Sequence, residues 1–539
     1  MVFPTEQITP IEFMVVLDGD TVKQTRYLVK PSSSQKASSE LVELRSKAPA
    51  KKWFIQPNGD PMNPDQWYGP GDLIPILVQA TPGKQLIYSI PGQHTHIVMN
   101  ERSPGIYESY HKVDPYDPMF EGNIEFSLKG RWLKRSKATS SERVKMGGLP
   151  KIGVVNTSDA YLNIGLGSDR LGGAKYGSIF EGVELDIVGE QSGLYKVALS
   201  PSLHAWIPTR FVDVKESFEL PTQSLSGNIR IVASKENSHL SQGSDVIMVS
   251  LPKRLPYIVH TELDPNRIVV DIFGATSNTN WKILLDEATG IDEVRWSQIE
   301  DGRLRLYIDL THKRHWGYDV EYGWRAQMRI IVKYPPVIED ALKPLKNRII
   351  AVDAGHGGRN NGALGSTGVM EKDVALAISK KLEELLVEAG ANVVMTRTDD
   401  SYLYMSERAE IIRTNKAELM VSIHANSIGY ATDPREMKGT GSFYKHMAYK
   451  PLAEIMYDKM RELGLDDYGL TGSFNFSLNA PTDFPNVLVE TAFLSNPEEE
   501  IFLLDPYYQR RMAQQIVEGL EEYYTQYAWW PNEELEADK

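Results

Sequence analysis

The run Arg348-Ile349-Ile350-Ala351-Val352-Asp353-Ala354-Gly355-His356-Gly357-Gly358 decides the fold of the C-terminal part of this chain. Ile349 to Val352 read as a buried strand, and the strand ends in a glycine-flanked loop that offers a histidine. Core packing has no use for a histidine between glycines just past a strand end. Such a position is exposed and able to bind.

The pattern recurs twice. Leu419-Met420-Val421-Ser422-Ile423 runs into His424-Ala425-Asn426, and Val487-Leu488-Val489 runs into Glu490-Thr491. In an open α/β sheet, ligands collect outside the carboxyl ends of the strands, so residues far apart in sequence converge at one rim. A fourth candidate, Glu371, precedes Val374, Ile378, Leu382, Leu385 and Ala389, whose spacing is helical. That places Glu371 in the first turn of a helix near the same edge. Taken singly, a histidine past a strand is an ordinary loop hydrogen-bonder, and a glutamate opening a helix serves the helix dipole. It is their meeting at one sheet edge that carries a functional reading.

Two neutral imidazoles and one carboxylate are a ligand set that catalytic zinc takes, with a fourth position left for water. His356, Glu371 and His424 make up that set here. Glu490 is then the proton carrier, since zinc lowers the pKa of its water to about 7 and a nearby base can pass the proton to a leaving amine. The chemistry expected is amide hydrolysis.

With these residues in place, the stretch from about Asn347 to about Tyr527 resembles the zinc-dependent N-acetylmuramoyl-L-alanine amidase catalytic domain of the amidase 3 family. The stretches that carry the resemblance are the Asp353 to Gly358 loop, Gly368-Val369-Met370-Glu371-Lys372, Val394-Met395-Thr396-Arg397, Ser422-Ile423-His424-Ala425-Asn426, and the run from Val487 to Asn496. The resemblance implies His356, Glu371 and His424 as zinc ligands and Glu490 as catalytic acid/base. It also implies peptidoglycan as substrate and the cell envelope, periplasmic or secreted, as location. Two departures stand out: Ala354 occupies a position where the family usually has proline, and the wording of residues 472–485 differs, so substrate contacts there are expected to differ. Some members carry an inserted helix over the metal. The connections from His424 to Gly441 and from Tyr444 to Pro451 are too short for one, so an open cleft and basal activity are expected.

The 539 residues exceed what one core usually supports. A hydrophobic content of 41% and a charged content of 24% are ordinary for a globular protein, and no apolar run approaches the roughly 20 residues of a membrane helix. The formal charge of -14 argues against nucleic acid or anionic lipid as a main partner. The absence of cysteine excludes disulfides, thiolate ligands and cysteine nucleophiles. Met1 to Gln7 show no basic segment leading into an apolar run, whereas a wall hydrolase works outside the cytoplasm; a leader is expected to have been removed.

Four domains are expected, three of them β. Residues 1–137 alternate short strands with turns, as in Phe13 to Leu17, Leu73 to Val78 and Gln85 to Ile90, which suggests a β-sandwich. The Ser-rich residues 31–40 read as a mobile loop, residues 134–145 as a linker and residues 532–539 as a frayed end. Residues 148–215 are similar to a bacterial SH3-like module, on Tyr161-Leu162-Asn163-Ile164-Gly165, Leu185 to Gly189, Leu194 to Val197, Ala205-Trp206-Ile207-Pro208 and Phe211-Val212. In residues 226–336, Leu304, Leu306, Ile308 and Leu310 alternate with Arg303, Arg305, Tyr307 and Asp309, a two-residue period. With Ile268 to Phe273, Met328 to Lys333 and Val294 to Gln298, that region resembles the AMIN β-sandwich domain, which targets amidases within the envelope. Trp316, Tyr318, Tyr322 and Trp324 offer a sugar-stacking surface or a core. Residues 335–345, with three prolines, read as a hinge, so residues before about 347 are expected to be dispensable for the chemistry itself. Residues 346–528 alternate β and α as an α/β sandwich, the zinc amidase catalytic domain. A zinc peptidase acting on the stem peptide and a non-catalytic wall-binding scaffold are the rival readings.

Overall fold

The computed structural model describes residues 9–17, 20–28, 66–93, 96–129, 135–167, 173–215, 224–234, 243–429 and 432–529. The expected loop at 31–40 and the tail at 532–539 lie outside them. The chain divides into two compact units, one of residues 1–149 with 188–196, the other of residues 150–187 with 197–539.

The first unit is built of strands. Thr9–Leu17 and Asp20–Leu28 pair antiparallel, and Leu73–Gln79, Ile106–Lys112 and Asn100–Ser103 form a three-stranded sheet. Residues 134–145 are not a linker: Arg135–Met146 is a strand, paired antiparallel with Phe120–Lys129. Arg135, Lys137, Thr139 and Arg143 are exposed, while Val144 and Met146 turn inward to a core with Ile74, Leu86, Tyr88, Tyr107 and Phe126.

In the second unit the short strands Lys151–Val155, Tyr161–Asn163, Lys175–Ser178, His204–Pro208 and Val212–Val214 come first. The described strands between residues 224 and 333 then form a five-stranded, a four-stranded and a two-stranded sheet. In Arg303–Leu310 the residues Leu304, Leu306 and Ile308 are buried and their neighbours half-buried, the two-residue period read in the sequence. Trp316, Tyr318 and Tyr322 are core residues, so the quartet offers no stacking surface; only Trp324 is exposed.

The C-terminal domain is a six-stranded mixed sheet with helices on both faces. In chain order it runs β1 (Ile349–Ala354), α1 (Glu371–Glu388), β2 (Asn392–Met395), α2 (Met405–Thr414), β3 (Leu419–Asn426), β4 (Thr440–Phe443), α3 (Lys450–Arg461), β5 (Asp467–Thr471), β6 (Asn486–Phe493), α4 (Pro497–Leu504) and α5 (Pro506–Tyr527). The strand order is β2-β1-β3-β6-β4-β5. β1, β2, β3 and β6 are parallel, and β4 runs antiparallel to β6. Strand β5 and helix α4 carry too weak an apolar pattern to be read beforehand. Strand alternation sorts the core onto two faces. Ile350, Val352, Leu419, Val421 and Ile423 meet α1, α3 and α5, whereas Ala351 and Met420 meet Ala409 and Ile412 of α2. Among the described residues, no helix is long and apolar enough to cross a membrane.

Residues 335–345 are not a free hinge. The prolines stop the preceding strand, but the chain then pairs with the C-terminus: Ile338 N donates to Trp529 O and Trp529 N to Pro336 O, each at 2.9 Å. Ile338 and Leu345 are buried in the core of the C-terminal domain, and so is Trp316. The Trp316 ring lies 5.2 Å from both Tyr523 and Tyr524, and its Nε1 donates to Tyr527 O at 3.1 Å. Truncation at residue 347 is therefore expected to uncover this core rather than release an intact domain. Trp316→Ala in the full chain should lower the unfolding free energy by about 3–5 kcal/mol, read from the urea midpoint. An unchanged midpoint would show that the seam does not support the C-terminal domain.

Candidate metal centre

His356 and Glu371 sit at element ends, whereas the strands of His424 and Glu490 continue past them, to Asn426 and Phe493. His356 follows β1, Glu371 opens α1, His424 lies near the end of β3, and Glu490 lies in β6 directly opposite His424 in the parallel register. Paired residues on neighbouring strands project to the same face, so Glu490 and His424 share one. The register shifts between His424 and Asn426, an irregularity of the kind that re-aims side chains beside a site.

His356, Glu371 and His424 converge. Glu371 Oε1 lies 2.9 Å from His356 Nε2 and 2.9 Å from His424 Nδ1. The other oxygen, Oε2, accepts Ala363 N at 2.7 Å, and Oε1 also accepts Ala425 N at 3.2 Å. Burial alone would push the Glu371 carboxyl up, but the two histidines outweigh it and hold the carboxyl well below its usual range. Burial likewise works to lower His356, and the same carboxylate overrides it and raises the imidazole.

The donor set suits a divalent cation. Asn360 Oδ1 lies 3.1 Å from His356 Nδ1 and also accepts Gly362 N, which fixes Nδ1 as the ring's N–H. In the neutral ring the Nε2 lone pair then faces a carboxylate oxygen, an arrangement that either a proton on Nε2 or a bound cation between the two makes favourable. His424 Nε2 is buried with no hydrogen-bond partner among the described residues, so Glu371 is the only side chain bonded to this imidazole. One carboxylate and two imidazoles within 4.8 Å of one another are oxygen and nitrogen donors of the class zinc accepts.

The glycines of the loop answer to close approach. A Cβ on Gly355 would stand 2.5 Å from the His424 ring, and one on Gly362 would stand 2.5 Å from Glu371 Oε2 and 2.7 Å from His356 Cδ2. His356 itself has φ 61°, a left-handed conformation that only firm surroundings sustain.

Those surroundings come from two arginines to which sequence reasoning assigned no role. Arg397 donates to the carbonyls of Ala354, Gly355, Lys372 and Asp399 at 2.7–2.9 Å. Arg408, on the inner face of α2, pairs with Asp353 at 2.6 Å, and both side chains are 1% exposed. It also donates to the carbonyls of Ala354 and His356. Asp353 accepts in addition from Thr396 Oγ1 and Ser422 Oγ. An arginine at a buried position of an amphipathic helix was the available signal for Arg408. Asn360 carried none beyond its nearness to His356.

Among the described residues, no helix occupies the connection between β3 and β4. Within residues 472–485, Phe476 sets its ring edge-on to His424 at 5.7 Å, so this divergent segment does border the site.

A family model described as N-acetylmuramoyl-L-alanine amidase matches residues 350–522, and the AMIN domain model matches residues 229–332. The uncharacterized protein YqiI of Bacillus subtilis (strain 168) is 33% identical over 186 residues, 34% of this chain and 89% of that protein. The germination-specific N-acetylmuramoyl-L-alanine amidase of the same organism is 32% identical over 201 residues, 34% of this chain and 82% of its own. The N-acetylmuramoyl-L-alanine amidase AmiC of Neisseria meningitidis serogroup B (strain ATCC BAA-335 / MC58) is 26% identical over 353 residues, 49% of this chain and 83% of that one.

Proposed function

The chain belongs to the N-acetylmuramoyl-L-alanine amidase family, and from that premise we propose that its C-terminal domain hydrolyses the amide between N-acetylmuramic acid and L-alanine in peptidoglycan, with zinc held by His356, Glu371 and His424. The observation that carries this reading is Glu371 Oε1 set between two imidazoles, with Glu490 in register beside one of them. Zinc bound there supplies Lewis-acid activation of water and of the amide carbonyl. Asn360 holds the His356 ring with Nε2 turned to the site, and the Arg397 and Arg408 contacts fix the loop that presents it. The Glu490 carboxylate takes a proton from the attacking water and passes it to the leaving nitrogen of L-alanine.

The same reading extends to the remaining regions. We assign residues 346–528 to catalysis, and residues 226–336 to an AMIN-like β-sandwich that raises enzyme concentration at the wall. Residues 148–215 are assigned to an SH3-like module and residues 1–137 to a further β domain. The AMIN match at 229–332 supports work in the cell envelope, periplasmic or secreted.

The test is digestion of purified sacculi followed by labelling of the new amino termini. Alanine alone is expected. Termini of later stem residues would make the protein a stem peptidase instead, and no new termini would make it a scaffold.

A further inference from the structure

A cavity to which no role has yet been assigned lies between residues 158–161, 175–178 and Phe211 on one side and the C-terminal domain on the other. It has a volume of about 760 Å³, a size that suits a small ligand, and its walls bring Lys175 and Lys445 together with Tyr161, Phe211, Ser477 and Pro481. Lys175 is set in place by the Tyr161 ring, 4.5 Å beneath its Nζ, and Phe211 backs that ring edge-on at 5.5 Å. Asn475 Nδ2 donates to Gly173 O at 2.9 Å, which ties the catalytic segment to the start of the strand bearing Lys175.

The two ammonium groups are uncompensated. Neither makes an ion pair among the described residues, and burial together with Lys175 pushes Lys445 down to about 8. Burial also lowers Lys175. Three carboxylates share the wall, Asp159, Glu407 and Glu410, but none of them acts on either lysine. Glu407 accepts the backbone N of Tyr404 at the start of α2, and Glu410 accepts Thr414 Oγ1. Two half-buried ammonium groups that face one cavity and have no ion-pair partner among the described residues form a site able to take an anion.

Its position says which anion. Phe476 touches His424, and the next residue, Ser477, lines the cavity. A peptide whose first amide sits at the metal centre therefore needs only a few residues, at about 3.3–3.6 Å each, to cross the Phe476 ridge. We propose that the Lys175–Lys445 cavity binds a carboxylate of the stem peptide that follows the scissile amide, so that the region of residues 148–215 helps to select acidic stem peptides. This rests on the amidase reading of the metal centre, and the cation pair adds a specificity that the metal chemistry does not supply.

The experiment reads binding, so it does not depend on turnover. The full chain is titrated calorimetrically with a synthetic L-Ala-γ-D-Glu-L-Lys tripeptide carrying free carboxylates and with the same peptide fully amidated. The acid should bind about tenfold or more tightly than the amide. A Lys175→Gln/Lys445→Gln double variant should bind both alike, while Lys175→Arg/Lys445→Arg should keep the preference, which separates loss of charge from loss of fold. Equal binding of the two peptides by the unaltered chain, or a preference retained by the glutamine variant, would overturn the proposal. Displacement of the peptide by inorganic phosphate at equal concentration would also overturn it, because the site would then read bare charge. Failure of the amidase reading is registered separately, by the amino termini released from sacculi.

Discussion

Glu490→Gln should abolish most turnover while leaving the metal bound. The amide keeps the shape of the carboxylate but does not carry a proton from water to the leaving nitrogen, and general acid/base steps of this kind contribute about a hundredfold to ten-thousandfold. Glu490 is not one of the three convergent donors; it lies one strand over from His424, in β6. Metal content and activity are therefore expected to separate in this variant. Initial rates on soluble muropeptides, with zinc measured on the same sample, provide the check. Near-normal turnover would remove Glu490 from the proton path.

Arg408→Ala should damage stability and metal binding together. Its partner Asp353 is fully buried, and although burial works to push the carboxyl up, Arg408, Ser422 and Thr396 hold it down in the charged form. Removing the guanidinium leaves that charge without its counter-ion, a change that costs about 3–5 kcal/mol in comparable buried pairs. The same guanidinium bonds the carbonyls of Ala354 and His356, so the loop that presents His356 loses a fixed point. Outer-shell partners of this kind are worth about 10–100-fold in metal affinity. Urea unfolding of the metal-free protein separates the first effect from the second, which a zinc competition assay reads. A loss below about 1 kcal/mol would place the pair among the weak surface bridges despite its burial.

The residues that converge were legible because each interrupts a local rule. His356 follows an apolar strand, His424 and Glu490 interrupt apolar ones, and Glu371 starts a helix whose apolar spacing marks its inner face. What lay out of reach depended on distant partners. Arg408 is 55 residues from Asp353, and nothing local to α2 announces the carboxylate it meets. The prolines of residues 335–345 show where a strand must stop, but not that Ile338 then pairs with Trp529 at the far end of the domain. Residues 135–146 have the composition of a linker, and pairing with Phe120–Lys129 overrides it, because strand preference is set by neighbours more than by the residue itself. The aromatic residues of 316–322 went to the core for the same reason: Tyr523 and Tyr524 wait for Trp316 in α5.

The central claim is that His356, Glu371 and His424 hold the zinc on which amide cleavage depends. The full chain is stripped with chelator, and zinc is titrated back while muropeptide hydrolysis is followed. Activity should vanish on stripping and return in full at one zinc per chain, and His424→Ala, with no spare donor to take its place, should neither retain zinc through dialysis nor recover. Full activity in the stripped protein, or stoichiometric zinc in His424→Ala, would contradict it.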